Sequence, residues 1–143
     1  MKRRNFVFAG LFSLSALARA QAPVADPGIF AVTKGARLAR ERVKLEMPVI
    51  AENGNAVPLK VSVSSPMTAA DHVKAIHLVS DRNPVSKIAS FYLGPHSGRA
   101  ELSTRVRLAG SQNVTAIAEM SDGSFWMDRS HIQVTLSACV DDS

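Results

Sequence analysis

Apolar and polar residues alternate strictly through the middle of the chain. The clearest alternation runs from Gly98 to Leu108. One face of this segment carries Ala100, Leu102, Thr104, Val106 and Leu108, and the other carries Arg99, Glu101, Ser103, Arg105 and Arg107. Because successive side chains of a β-strand point to opposite faces, this period of two predicts a half-buried strand.

Six further segments have a similar pattern and are also predicted as strands. They are residues 43–47, 57–63, 72–79, 88–93, 114–120 and 125–136. The Asn53-Gly54 pair between the first two of them predicts a tight turn. In the last segment, we expect Ile132, Val134 and Leu136 to face the core.

Seven short strands with regularly spaced turns and no long helix predict an all-β fold for residues 41–136. The expected architecture is an immunoglobulin-like antiparallel β-sandwich of about seven strands, and a β-barrel is the alternative. Residues 21–40 mix Pro, Gly and Ala without periodicity. They are predicted to form an N-terminal extension that is partly ordered at best.

The first residues of the chain have the features of an export signal. Lys2, Arg3 and Arg4 precede an uncharged stretch that ends in Ala18-Arg19-Ala20, which predicts a signal peptide over residues 1–20. The Arg3-Arg4 pair favours the twin-arginine type over an ordinary basic start. The apolar stretch is shorter than the roughly 20 residues that span a bilayer, so no membrane anchor is expected.

Removal of this peptide changes the charge of the chain. The full sequence has 17 Lys and Arg against 12 Asp and Glu, a formal net charge of +5. Four of the basic residues and none of the acidic ones lie in residues 1–20, which leaves 13 basic against 12 acidic residues. A nucleic-acid partner or an anionic membrane therefore loses its electrostatic support.

The histidines do not predict a metal site or a catalytic pair. His72 and His77 lie five residues apart on one predicted strand, so they face opposite sides and cannot share a metal ion. His96 lies in a turn, where a surface position is expected. His131 is separated from Cys139 by about 27 Å of extended strand, too far for a local Cys-His pair. No metal, cofactor or catalytic residue is predicted.

Cys139 is the only cysteine of the chain, so an internal disulfide is excluded. Three roles stay open: a buried inert thiol, an intermolecular disulfide, or an exposed group that reacts. If the strand alternation continues past Leu136, Ala138 faces inward while Ser137 and Cys139 face outward. The segment from Leu136 to Cys139 then forms a short arm of at most about 10 Å.

Three runs of sequence resemble the SoxY family. They are ERVKLEMPVIAENGNAVPLKVSVSSPM (41–67), VKAIHLVSDRNP (73–84) and AEMSDGSFW (118–126), and a strand leading to a near-terminal cysteine follows them. The resemblance implies a periplasmic carrier, not an enzyme, with a twin-arginine signal and a SoxZ-like small β-protein as its partner in a heterodimer. It also implies that Cys139 holds sulfur intermediates of thiosulfate oxidation covalently while periplasmic sulfur-oxidising enzymes of the Sox system act on them.

The C-terminal arm, residues 137–143, departs from the family pattern. The family has glycines on both sides of the cysteine, whereas this chain has Ser137 and Ala138 before it and Val140, Asp141 and Asp142 after it. A β-branched residue stiffens the arm, and the two carboxylates disfavour a thiolate and repel an anion. A diverged SoxY-like binding or structural subunit, whose cysteine makes only an intermolecular disulfide, therefore stays as the alternative.

Overall fold

The computed structural model describes residues 26–136. Its elements in chain order are α1 (Pro27–Thr33), β1 (Leu38–Ala39), β2 (Val43–Glu46), β3 (Ile50–Asn53), β4 (Val57–Val63), β5 (Val73–Ser80), β6 (Lys87–Tyr92), β7 (Glu101–Val106), β8 (Gln112–Met120) and β9 (Phe125–Leu136). Short 3₁₀ helices cover Gly54–Ala56 and Pro95–Ser97. Within this part of the chain, no helix is long and apolar enough to cross a membrane.

The strands form two sheets that enclose one main core. The six-stranded sheet has the order β1-β9-β8-β5-β6, with β3 also paired to β9, and the three-stranded sheet has the order β2-β4-β7. The long strands pair antiparallel, whereas the short strands β1 and β3 run parallel to β9. The predicted all-β sandwich is confirmed, and because the strands divide into two sheets the barrel alternative is wrong.

The main core is built from the apolar positions that alternate along the strands of both sheets. The side chains of Val57 and Val61 on β4, Ile76 and Leu78 on β5, and Ile132 on β9 are completely buried. Each such side chain contributes roughly 1.5–3 kcal/mol by leaving water. The period-two pattern therefore identified the strands that supply this core.

All seven predicted strands are present, with ends shifted by up to three residues. In β7 and its flanks, Ala100, Val106 and Leu108 are buried while Glu101 and Arg105 are exposed, as the alternation predicts. The two additional strands, β1 and β3, are only two and four residues long. A period of two cannot be recognised over such short and largely exposed segments.

The described part of the predicted N-terminal extension, residues 26–40, contains α1 and β1. The Asp26 Oδ1 atom accepts a hydrogen bond from the Gly28 N–H at 2.9 Å and so caps α1. Ile29 then packs in a second, smaller core on the outer face of the six-stranded sheet, together with Val79, Ile117 and Met127. Since β1 also pairs with β9, the sandwich begins before the predicted boundary at residue 41.

A turn does occur at the Asn53-Gly54 pair, as a short 3₁₀ helix that joins strands of different sheets rather than two strands of a hairpin. The chain leaves β2 after Glu46, forms β3 beside β9, and only then turns through a 3₁₀ helix into β4. The Asn53 Oδ1 atom accepts a hydrogen bond from the Asn55 N–H at 2.8 Å and caps this helix. Asn53 is therefore the last residue of β3, which pairs with β9 of the six-stranded sheet and not with β4.

Candidate functional site at the C-terminal end of β9

The predicted attachment residue lies outside the described part of the chain. Cys139 and the other arm residues follow Leu136, and the signal residues Arg3 and Arg4 precede Asp26. The arm residues in question are Ser137, Ala138, Val140, Asp141 and Asp142. Their roles stay predictions, and the structure describes the base from which the arm starts.

The base of the arm is the last part of β9, a strand that pairs first with β8 and then with β3. Along one edge, β8 pairs with β9 from Phe125 to Ile132. Along the other edge, β3 pairs with β9 from Gln133 to Leu136. The arm therefore starts at a residue that is held in a sheet. A fully extended segment of three residues, the spacing between Leu136 and Cys139, spans at most about 10 Å.

Hydrogen bonds outside the regular ladder also hold the last residues of β9. The Val134 N–H donates to the Ser111 Oγ atom at 2.9 Å, and the Gln133 N–H donates to the Val49 carbonyl at 2.8 Å. The Thr135 hydroxyl donates to the Glu52 carbonyl at 3.0 Å. The Ser111 side chain and the backbone of residues 49–52 thus fix the direction in which β9 ends.

Leu136 does not face the core, which corrects the prediction for this residue. Ile132 and Val134 are buried, whereas the Leu136 residue is 66% exposed. Its pairing partner Asn53 is exposed as well, and the chain turns away from β9 directly after it. The core ends at Val134. Leu136 alternates in step with Ile132 and Val134, but it lies beyond the end of the core and stays exposed.

The histidines occupy four separate positions. His72 precedes β5, and its Nδ1 atom lies 3.0 Å from the Thr68 carbonyl oxygen. His77 is buried within β5, whereas His96 and His131 are exposed. Residues 26–136 contain no group of three or more His, Cys, Asp or Glu side chains that could hold a metal ion.

A polar cluster on the outer face of the six-stranded sheet was not predicted from the sequence. The His77 Nδ1 atom lies 2.7 Å from the Ser90 Oγ atom, and its Nε2 atom lies 3.7 Å from Glu119 Oε2. Burial lowers the pKa of His77 although Glu119 acts in the opposite direction. The three residues come from three strands, so only the pairing of β5 with β6 and β8 brings them together.

A groove of about 710 Å³ opens beside the three-stranded sheet, at the start of β4. It forms where the chain leaves the sheet after Glu46, so that no strand lies beside the start of β4. Pro58 fits this position because its missing N–H has no strand to bond there. The groove is lined by Glu46, Met47, Pro48, Pro58, Leu59, Lys60, Ser103, Thr104 and Arg105.

Solved structures of superoxide reductases are similar in fold. The superoxide reductase (neelaredoxin) from Ignicoccus hospitalis is 21% identical, with 66% of this chain and 80% of that chain covered and a TM-score of 0.58. A putative superoxide reductase from Thermotoga maritima is 20% identical, with 71% and 89% covered and a TM-score of 0.56. The superoxide reductase from Nanoarchaeum equitans is 13% identical, with 67% and 100% covered and a TM-score of 0.56. At these identities the likeness shows the fold alone.

The sequence itself matches a family of sulfur proteins. No curated protein matches the chain. The model of the family described as sulfur oxidation protein SoxY matches residues 30–139. The matched region extends from α1 through all nine strands of the described sandwich to Cys139. Because this region is most of the sequence, the chain belongs to the SoxY family of sulfur oxidation proteins.

Proposed function

We propose that this protein carries sulfur intermediates covalently on Cys139 during the oxidation of thiosulfate or a related sulfur compound. The proposal depends on one observation: the match to the SoxY family runs through residue 139, which is the only cysteine of the chain. A second thiol in the same chain could displace the cargo by disulfide exchange. A carrier with one thiol avoids this loss.

The proposed chemistry requires only the thiol from this chain. In the loading step the thiol loses its proton, an S–S bond forms between the cysteine sulfur and the sulfane sulfur of thiosulfate, and two electrons pass to a partner redox enzyme. Water then cleaves the bond between the sulfane sulfur and the sulfonate group, which releases sulfate and leaves a persulfide on Cys139. Partner enzymes oxidise the remaining sulfur. The role of the sandwich is to carry the arm and present it to these enzymes.

The geometry at the end of β9 supports this role. Three residues of chain reach at most about 10 Å from Leu136, so a partner enzyme that takes up the Cys139 thiol must approach the base of the arm closely. Three large apolar side chains near this base, those of Val49, Ile50 and Leu136, are exposed. They offer contact surface for such an enzyme, and the pairing of β3 with β9 holds that surface beside Leu136, from which the arm starts.

We further propose that the protein acts in the periplasm as a heterodimer with a SoxZ-like small β-protein. Membership of the SoxY family supports both statements. The basic start of the chain, with Arg3 and Arg4 before an apolar stretch, supports export.

Mass spectrometry of the protein purified from cells grown on thiosulfate tests the carrier function. We expect the peptide that contains Cys139 to carry an added sulfur atom or a thiosulfate-derived group, which reductant removes. Protein with Cys139→Ser, purified in the same way, is the control and should carry none. A wild-type peptide that is always unmodified, in the presence of the partner enzymes, would show that the proposal is wrong.

The composition of the arm favours one other function. Val140, Asp141 and Asp142 replace the flexible and uncharged residues that the resemblance leads us to expect. Under this second hypothesis the sandwich binds its partner protein, and Cys139 makes only an intermolecular disulfide. Growth on thiosulfate distinguishes the two, because Cys139→Ser should abolish growth if the thiol carries sulfur and should leave it intact if the protein only binds.

A further inference from the structure

The sheets have few open edges. On the free side of β2, side chains of β9 bond both backbone groups of Leu45: its N–H donates to Asp128 Oδ2 at 2.8 Å, and its carbonyl accepts from the Ser130 hydroxyl at 3.5 Å. Beside β9, the edge consists of β1 and β3, and strands this short offer little to pair with. Two longer edge strands remain among the described strands. They are β6 and β7, each six residues long, and each pairs with a neighbouring strand on one side only.

Charge distinguishes these two edges. β7 carries Glu101 and Arg105, and Arg99 and Arg107 flank it. Charged side chains on an edge strand are a common protection against unwanted strand pairing. β6 begins with Lys87, and from there to Pro95 the sequence has no charged residue. Edge strand β6 thus lacks the protection that β7 has.

The hydrogen-bonding groups that β6 leaves open can be assigned from its pairing with β5. The Leu93 N–H donates to the Lys74 carbonyl at 2.9 Å, so in this register Phe91 and Ala89 are also hydrogen-bonded to β5. Ser90 and Tyr92 occupy the alternate positions. Their N–H and C=O groups therefore point away from β5, where no described strand accepts them.

We propose that β6 pairs antiparallel with β6 of a second copy of this chain, with the two-fold axis at Phe91. In this register Ser90 of each copy lies opposite Tyr92 of the other, and the open groups of both residues form four hydrogen bonds. This interaction goes beyond the carrier function and does not depend on it. The sheet then continues from one copy into the other.

The side chains favour a second copy as the occupant. Phe91 lies opposite Phe91 of the second copy at a position without ladder hydrogen bonds, where side chains approach most closely. The side chain is half-buried and packs against the main core, so the aromatic pair extends this core across the axis. The flanking pairs are Ala89 with Leu93 and Ile88 with Gly94, so no charge opposes another. Tyr92, which is 80% exposed in the single chain, gains a neighbour.

Sedimentation equilibrium of the full chain under reducing conditions tests the proposal. We expect a monomer–dimer equilibrium that Cys139→Ser leaves unchanged, because no disulfide is involved. Tyr92→Pro removes an N–H that bonds only in the dimer, once in each copy, and should weaken dimerisation roughly thirtyfold. Ser103→Pro is the matched control, since the Ser103 N–H points away from β4 on the other free edge. It should leave dimerisation unchanged.

Hydrogen exchange gives a readout that does not require a variant to fold. The amides of Ser90 and Tyr92 should be protected at high protein concentration and exchange fast on dilution, whereas the Ser103 amide should exchange fast at both. A chain that is monomeric at all concentrations, or a dimer that Tyr92→Pro does not weaken, would overturn the proposal. Protection of Ser90 and Tyr92 only in the presence of a different β-protein would equally overturn it.

Discussion

The carboxylate of Asp128 accepts a hydrogen bond from the backbone N–H of Leu45 at 2.8 Å, and this bond joins the two sheets of the sandwich. The residues lie 83 positions apart in the chain. Ser64 N–H donates to the Arg42 carbonyl, so in the same register the Leu45 N–H points away from β4. One side chain of β9 thereby satisfies the Leu45 N–H on the open edge of β2.

Replacing Asp128 with alanine should lower the free energy of unfolding by about 1–3 kcal/mol, because the part-buried Leu45 N–H loses its acceptor. Urea denaturation of wild type and variant measures the difference. Glu52→Ala is the control, since this residue is exposed and its carboxylate has no hydrogen bond or ion pair within residues 26–136. An equal and small change in both variants would contradict the sheet-joining role of Asp128.

Replacing Gly28 with alanine should displace α1 from the six-stranded sheet. A Cβ atom at this position would lie 2.6 Å from Val79 Cγ1 and 2.7 Å from Ser86 Cβ. Such overpacking costs about 1–3 kcal/mol, to be measured as a loss of unfolding free energy. Gly94→Ala is the matched control, since its φ of −151° suits any residue and a Cβ there meets nothing within 4 Å. It should leave stability nearly unchanged.

The stability of the protein should fall as the pH is lowered below about 6.5, because His77 is buried in its neutral form. Burial lowers the pKa of His77 below its ordinary value of 6.5 in the folded state, whereas the unfolded chain keeps that value. Between the two values the unfolded state binds more protons, so acid favours unfolding. The contribution of His77 to the free energy of unfolding is fully present above pH 6.5. It is lost as the pH falls toward the lowered pKa of the folded state.

Urea denaturation at pH 7.5 and pH 5.5 checks this dependence. In His77→Gln the decrease between the two pH values should be smaller than in wild type. His96→Gln is the control, since His96 is exposed, and it should behave as wild type does. A decrease of equal size in wild type and His77→Gln would show that another group causes it.

The acidic residues of the arm should slow the reactions of the Cys139 thiol. In Asp141→Asn with Asp142→Asn, the loss of two nearby negative charges should favour the thiolate and speed alkylation by iodoacetamide about two- to threefold at low salt. The difference should shrink in 1 M salt because the charges are screened. Rates that are equal at low salt would mean that these carboxylates do not act on the thiol. Asp122→Asn, in a turn outside the arm, is the control.

Replacing Arg3 and Arg4 together with lysine should stop export of the precursor, because the twin-arginine translocase recognises the pair itself rather than its charge. Cell fractionation followed by immunoblotting measures the mature and precursor forms. Replacing Lys2 with arginine keeps the pair and should not affect export. Continued export of the double lysine variant would assign the signal to the general secretory route.

The end of β9 illustrates how far the sequence could predict the candidate site. Alternation placed Ile132 and Val134 in the core correctly, since both side chains belong to the main core. The same rule failed at Leu136. Alternation predicts which face of the sheet a residue occupies, but not how far the core extends along the strand. The pairing of Asn53 with Leu136, which fixes the base of the arm, depends on a strand about eighty positions earlier in the chain.

Local patterns and composition were enough to predict the seven main strands, the single thiol and the resemblance to a sulfur-protein family. Each of these depends on residues that are near one another in the chain, or on a count. Only the folded chain shows that β1 and β3 cover β9, that His77 meets Ser90, and that Asp128 bonds the edge of β2 while β6 stays open. These features depend on the register between strands that are distant in the chain. The packing of the two sheets as a whole selects that register, so no local pattern predicts it.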